Sequence, residues 1–225
     1  MEYRQFGGGS SLVTQFSDSF HRANVANLGP NWAYFSQPTA LTQLHTTQVS
    51  VNGNAWTAQD SSASQTQNNS PENWIPWAIM NTKVSGKQQF AQARFLTNTS
   101  GVNHDMRAAI MVACGLNGSG DLQAYYFENE SGPQYRLFKY AANAFTDIGG
   151  GGFAVPAAND ICRINYTPTT GVINCILNGT TVKTVTDGTP IVTGWPGISK
   201  IFWISGVGPP ATTCTYDNFS CGIGL

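Results

Sequence analysis

Charge is what this sequence has least of. Only 10% of its 225 residues are Asp, Glu, Lys or Arg, and 11 basic against 12 acidic side chains leave a formal net charge of −1. Soluble proteins carry about 25% charged residues; here Ser, Thr, Asn, Gln and Gly stand in their place. Neither sign clusters, so no basic stripe can track a phosphate backbone, and nucleic acid is not an expected partner. Long apolar runs are missing as well. Nothing approaches the ~20 residues that cross a bilayer as a helix, so no membrane partner is expected either. The first twelve residues, MEYRQFGGGSSL, have neither the basic start nor the apolar centre of a secretory signal. That leaves action inside the host, exit by particle assembly or lysis, or loss of a leader; the expectation is an extracellular or virion location.

Cysteine and histidine are equally unhelpful as metal ligands. The five cysteines are Cys114, Cys162, Cys175, Cys214 and Cys221, and an odd number leaves at least one thiol unpaired in a monomer. The spacings C-x12-C and C-x6-C, with His21, His45 and His104 scattered, do not make a zinc site. Cys162 and Cys175 flank a hairpin-like sequence, CRINYTPTTGVINC, and either face each other as a disulfide or stay as buried free thiols. Helical periodicity is the last absence: from residue 13 onward no 3.6-residue pattern lasts three turns.

What is present is β-sequence. With 41% hydrophobic and 12% aromatic residues the chain can fill a core. Segments rich in β-branched and aromatic residues predict strands near 16–20, 47–51, 76–84, 88–97, 105–115, 122–130, 134–141, 160–167, 171–178, 181–186, 197–205 and 214–221. LNGSGD, ESGPQ, TPTTG and NGT supply Gly or Asn where tight hairpins need positive φ. About a dozen antiparallel strands exceed one open sheet, so the expected fold is an all-β, two-sheet sandwich spanning 13–225. Ahead of it, residues 1–12 with Gly7–Gly9 read as a flexible arm: a disordered tail, or an anchor whose Tyr3 and Phe6 plug into a partner. Alternation in MRAAIMVAC puts Met106, Ala108, Ile110, Val112 and Cys114 on one face, and in CRINY it sets Cys162, Ile164 and Tyr166 against Arg163 and Asn165. The polar stretch 57–76 is expected as a long loop ending in tryptophan.

The two ends carry a resemblance. Asp18, Phe20, Arg22, Ala23, Asn24, Leu28, Gly29, Asn31 and Trp32 at the start, and the closing YDNF of Tyr216 to Phe219, resemble the concanavalin A-like (laminin G-like) jelly-roll modules. The central run MRAAIMVACGLNGSGDLQAYYFENESGPQYRLFKY is similar to that family's consecutive strands, and INYTPTTGVINCILNGTTV to its N-G hairpin. The resemblance spans about residues 15–222. It implies that the first and last strands lie side by side, with Phe20, Trp32 and Phe219 filling the core near that seam. Such modules occur in bacterial extracellular proteins and in phage particles.

Fold alone does not assign function. Glycosidases of this architecture use an E-x-D-x-E strand, and the chain has only four glutamates: Glu2, Glu72, Glu128 and Glu130. Glu128 and Glu130 share a strand face, but Asn129 separates them and no further acid is near. They are expected as solvated turn carboxylates, and no catalytic residue is assigned. No G-x-S-x-G turn supports a nucleophile. Asp18 and Asp217, brought together at the seam, are candidates for a weak calcium site or for turn caps; no other cofactor is implied. Aromatics beside amides point to sugar: Trp74 and Trp77 end the polar stretch, and of the consecutive Tyr125 and Tyr126 one must leave the core. The candidate carbohydrate-binding set is Trp74, Trp77, Tyr126, Arg94, Arg107 and Gln92. The expected function is a non-catalytic, lectin-like module that binds cell-surface glycans, as a virion tail, fibre or capsid-decorating protein. The alternatives are a purely structural virion subunit anchored by its N-terminal arm, and a glycoside hydrolase or polysaccharide lyase; virion proteins bound through the arm and a homo-oligomer are the further partner candidates.

Overall fold

The computed structural model describes residues 14–18, 32–35, 55–59, 62–67, 77–80, 84–85, 88–98, 105–119, 122–130, 134–142, 144–203 and 212–223. They form strands and, among the described residues, no helix. In chain order the strands are β1 (Thr14–Asp18), β2 (Trp32–Phe35), β3 (Ala55–Gln59), β4 (Ser62–Gln67), β5 (Trp77–Met80), β6 (Val84–Ser85), β7 (Gln89–Asn98) and β8 (Asp105–Leu116). They continue as β9 (Leu122–Glu130), β10 (Gln134–Ala141), β11 (Ala144–Asp147), β12 (Ile161–Thr167), β13 (Val172–Leu177), β14 (Thr180–Thr186), β15 (Thr193–Trp203) and β16 (Thr212–Ile223).

The first sheet runs β14-β13-β12-β7-β16-β4-β3, with β1 also on β16; the second runs β11-β10-β9-β8-β15-β5-β2, with β6 on β15. The matching ends are neighbours: β1 pairs antiparallel with β16, Phe16 opposite Cys221 and Asp18 opposite Phe219. Phe219 is fully buried at this seam and Phe16 packs against the core. The side chains of Phe20 and Trp32 lie outside the described residues, as do the arm at 1–12 and the strand expected at 47–51.

Between the sheets, alternation fills one core. Cys162, Ile164 and Tyr166 of β12 and Ile173 and Cys175 of β13 meet Ile110, Val112, Tyr125, Phe127, Tyr135 and Leu137 of the second sheet. Burying each such aromatic contributes about 1.5–3 kcal/mol before entropy. Their hydroxyls cannot be left dry. Tyr135 donates to Asp160 Oδ2 at 2.8 Å, Tyr166 to the Ile191 carbonyl at 2.6 Å and Tyr125 to Asp187 Oδ2 at 2.5 Å. The Asn178–Gly179 turn has φ of 50° and 84°, the two positive values of a tight hairpin between β13 and β14.

Two expectations are corrected here. The stretch 57–76 is not simply a loop: β3 and β4 occupy its first half as a hairpin in the first sheet, Trp56 opposite Gln65. Its Ser, Thr and Gln residues lack the apolar alternation by which a strand is read in sequence. Second, β8 does not keep one face throughout. A bulge between Val112 and Gly115 puts Ala113 at φ 55° and sends Cys114 to the face of Ala109 and Met111, away from Ile110 and Val112. The displaced Ala113 N–H is taken by buried Gln89 Oε1 at 3.0 Å. Of the two alternatives for the β12–β13 pair of cysteines, the free-thiol one holds: Cys162 lies opposite Leu177 and Cys175 opposite Ile164, so the two are diagonal. Both are buried free thiols, as are Cys114 and Cys221.

Candidate functional site

The outer face of a sandwich sheet is normally its polar side. The first sheet obeys: Gln92, Arg94, Arg163, Asn165 and Asn174 lie there, partly exposed. The second sheet does not. On β9 and β10 both strand faces carry apolar residues: Tyr125 and Phe127 oppose Tyr126 on β9, and Tyr135 and Leu137 oppose Phe138 and Tyr140 on β10. Tyr126, Phe138 and Tyr140 are buried on the outer face with Ala109, Met111, Cys114 and Ala124. Half-buried Phe145 and Trp195 pack against this cluster. Phe145 comes from the short edge strand β11, opposite Tyr140, with ring centroids 4.6 Å from Tyr140 and 5.5 Å from Tyr126. Trp195 stands opposite Cys114, its ring against Gly115; a Cβ at Gly115 would lie 2.7 Å from the indole Cζ3. Only glycine admits the ring there.

Ionisable groups edge the rings. Glu128, two residues from Tyr126, is fully buried, opposite Arg136 on β10 and Ala109 on β8. The Arg136 guanidinium reaches to 3.8 Å from Asp147 Oδ2, both partly exposed. Asp147 is fixed independently, accepting the amides of Gly150 at 2.9 Å and Gly151 at 3.1 Å. Burial, then the neighbouring Cys114, Tyr140 and Glu128, pushes the Tyr126 hydroxyl well above its usual pKa, so it stays protonated. The arrangement offers aromatic ring surface, one guanidinium and one fixed carboxylate on an otherwise charge-poor protein.

The candidate set divides over two opposite faces. Tyr126 leaves the inter-sheet core as alternation requires, but its ring is not exposed: a second apolar layer buries it, so it forms part of the floor. Glu128 is likewise not a solvated turn carboxylate; it sits within the ladder of β9. Backbone register places Trp77 opposite Ser199, which is opposite Ala109, in the row that leads to Glu128 and Arg136. Arg107, opposite Ile201, is in the same sheet. Gln92 and Arg94 belong to β7 of the other sheet and are not brought to this face. Trp74 lies outside the described residues. Asp18 is opposite Phe219 and Asp217 opposite Arg94, so the calcium candidates are two positions out of register at the seam. The described residues hold no cluster of three or more potential metal ligands. Sequence reasoning missed Trp195, Phe145, Phe138 and Tyr140. The segment TGWPG carried a signal: a tryptophan between Gly and Pro marks an interrupted strand position.

The sequence matches no protein-family model and no curated protein. Solved structures match in shape. A Bacillus subtilis protein of unknown function with a galectin-like fold aligns over 100% of both chains at TM-score 0.60 and 11% identity. LamAcat from Zobellia galactanivorans aligns over 93% of this chain and 96% of its own, at TM-score 0.57 and 10% identity. A prokaryotic β-1,3-1,4-glucanase (lichenase) from a mouse hindgut metagenome aligns over 94% and 99%, at TM-score 0.56 and 14% identity. The fold is therefore the concanavalin A-like jelly roll that the chain ends resemble.

Proposed function

We propose that this protein binds glycans on the outer face of its second sheet. The observation that carries the reading is the inverted polarity of that face: the rings of Tyr126, Phe138, Tyr140, Phe145 and Trp195 lie where solvent-facing polar residues are expected. Half-exposed Trp195 and Phe145 offer flat surface for the C–H face of a sugar ring, while Arg136 and Asp147 can exchange hydrogen bonds with hydroxyls. One of the structural neighbours is a β-1,3-1,4-glucanase (lichenase), which supports a carbohydrate ligand on this fold. The test is calorimetric titration with neutral oligosaccharides, wild type against Trp195→Ala. Loss of one stacking ring weakens binding by roughly tenfold, about 1 kcal/mol or slightly more. No binding at millimolar sugar, or an unchanged affinity in the variant, would refute the proposal.

Hydrolysis is a second reading because buried Glu128 lies on the same ring-lined face, the setting a general acid needs. It requires a second carboxyl at about 5–9.5 Å. Asp147 is the described candidate, and its oxygens already accept two amides. Sugar release that Glu128→Gln abolishes would establish this reading in place of simple binding.

A further inference from the structure

The outer face of the first sheet holds a differently built group. Arg163, on β12, lies with its guanidinium carbon 4.0 Å from the centre of the Phe90 ring. Its Nε–H donates to Asn165 Oδ1 at 2.7 Å. Burial lowers its pKa, but a guanidinium remains charged at any ordinary pH. Stacked on one side and tethered at Nε, it is held in one orientation, with the four N–H groups of its two terminal nitrogens pointing to no protein acceptor among the described residues.

Each neighbouring asparagine already accepts one hydrogen bond. Asn165 must present its oxygen to Arg163, since Nε only donates, so its NH₂ is left to face outward. Asn174, opposite Asn165 across the β12–β13 ladder, accepts from Thr184 Oγ1 at 2.7 Å. Gln92, opposite Arg163 on β7, borders the group. The strip therefore sets the outward N–H groups of Arg163 and the Asn165 NH₂ beside one fixed positive charge. The acidic side chains Glu128, Asp147, Asp160 and Asp187 are engaged in the second sheet or at the sandwich rim. Among the described residues, Asp217 stands opposite Arg94, one row away in the register.

We propose that Arg163, with Asn165 and Asn174, forms a second ligand site that takes the carboxylate of an acidic sugar residue. A planar fork matches a planar carboxylate with two parallel bonds, and the guanidinium charge favours an anionic sugar over its neutral counterpart. The site is on the opposite side of the sandwich from the aromatic face, and its loss leaves that face intact.

The experiment is titration of the full chain with three oligosaccharides of equal length: a polyuronate, its neutral counterpart and a sulfated one. Each is measured against wild type, Arg163→Gln, Arg163→Lys and Trp195→Ala. The expected result is polyuronate binding reduced at least about tenfold by both Arg163 variants, as for one lost charge-assisted bidentate pair, and little changed by Trp195→Ala. Neutral-sugar binding, if the aromatic face works as proposed, shows the reverse pattern. Circular dichroism and melting confirm that each variant is folded, and Asn165→Ala serves as an independent probe should Arg163→Gln unfold. Polyuronate affinity unchanged in both Arg163 variants, rescue by Lys, or equal binding of the sulfated oligomer would overturn the assignment. So would loss of polyuronate binding in Trp195→Ala alone, which would place the acidic sugar on the aromatic face. Failure of neutral-sugar binding with Arg163-dependent polyuronate binding intact would sink the first reading and leave this one standing.

Discussion

Replacing Asp187 by Asn should loosen the clasp between the two sheets at the end of β14. One carboxylate oxygen accepts from Lys139 Nζ at 2.7 Å and Tyr125 Oη at 2.5 Å; the other accepts from the Thr189 amide at 2.9 Å and its hydroxyl at 3.1 Å. Gly171 lets the segment approach: at φ +69° it receives the Asp187 carbonyl where a Cβ would sit 2.2 Å away, and its own carbonyl accepts the Asp187 N–H at 2.9 Å. Burial works against the charged carboxylate, but the bonds from Lys139, Tyr125 and Thr189 outweigh it and hold its pKa down to about 2. The side chains of Lys139 and Asp187 are 15% and 9% exposed, so the pair is nearly dry. Breaking a fully buried pair costs about 3–5 kcal/mol; with an amide oxygen still present and the lysine at the rim, about 2–3 kcal/mol is expected. For a domain of this size that lowers Tm by about 5–10 °C.

The pH dependence gives the sharper test. The folded pKa of Asp187 lies below its unfolded value of about 3.9, so its contribution is complete above about pH 5 and is lost as pH falls toward 2. Urea unfolding of wild type and Asp187→Asn should show the full difference at pH 7, and the two should converge by about 1–2 kcal/mol near pH 2, the lower figure allowing for solvent screening. A wild-type midpoint in the variant at pH 7, or a gap that does not change with pH, would refute this account of the clasp.

Asp160→Ala should destabilise by about 2–4 kcal/mol in urea titration, because Tyr135, Asn178 and the Ala157 amide would lose a buried acceptor together. Gly115→Ala should displace the Trp195 ring, at a cost of about 1–3 kcal/mol, and weaken neutral-sugar binding along with Trp195→Ala; retained binding would mean the ring is not the platform. Burial raises the thiol pKa of Cys114, Cys162, Cys175 and Cys221, so these four should resist a thiol reagent at pH 8 in the native protein and react in denaturant. Reaction of the folded protein at those positions, read by peptide mapping, would contradict their placement.

The sequence was legible where periodicity and turn chemistry agreed. CRINY alternates as expected, the N-G turn has its positive φ pair, and the first and last strands meet. It was less legible where polar residues form strands, as in β3 and β4, and where one inserted residue changes phase, as at Ala113. The aromatic face was half visible. Tyr126 had to leave the inter-sheet core, but the cluster that buries it is assembled from β8, β9, β10, β11 and β15, and only the register brings these together. Glu128 looked like a turn residue because it stands near Ser131 and Gly132 in sequence; long-range pairing with Ala109 places it inside the sheet. The division of Gln92 and Arg94 from Trp77, Tyr126 and Arg107 is likewise a matter of topology, invisible until the strand order of the two sheets is known.

The most direct measurement is a two-dimensional ¹⁵N NMR titration with a panel of neutral oligosaccharides. Saturable shifts of the Trp195 indole N–H and of backbone amides in β9–β11, with no sugar released, are the outcome that sugar stacking on the second sheet requires. A silent indole across the whole panel, or shifts confined to strands of the other sheet, would contradict it.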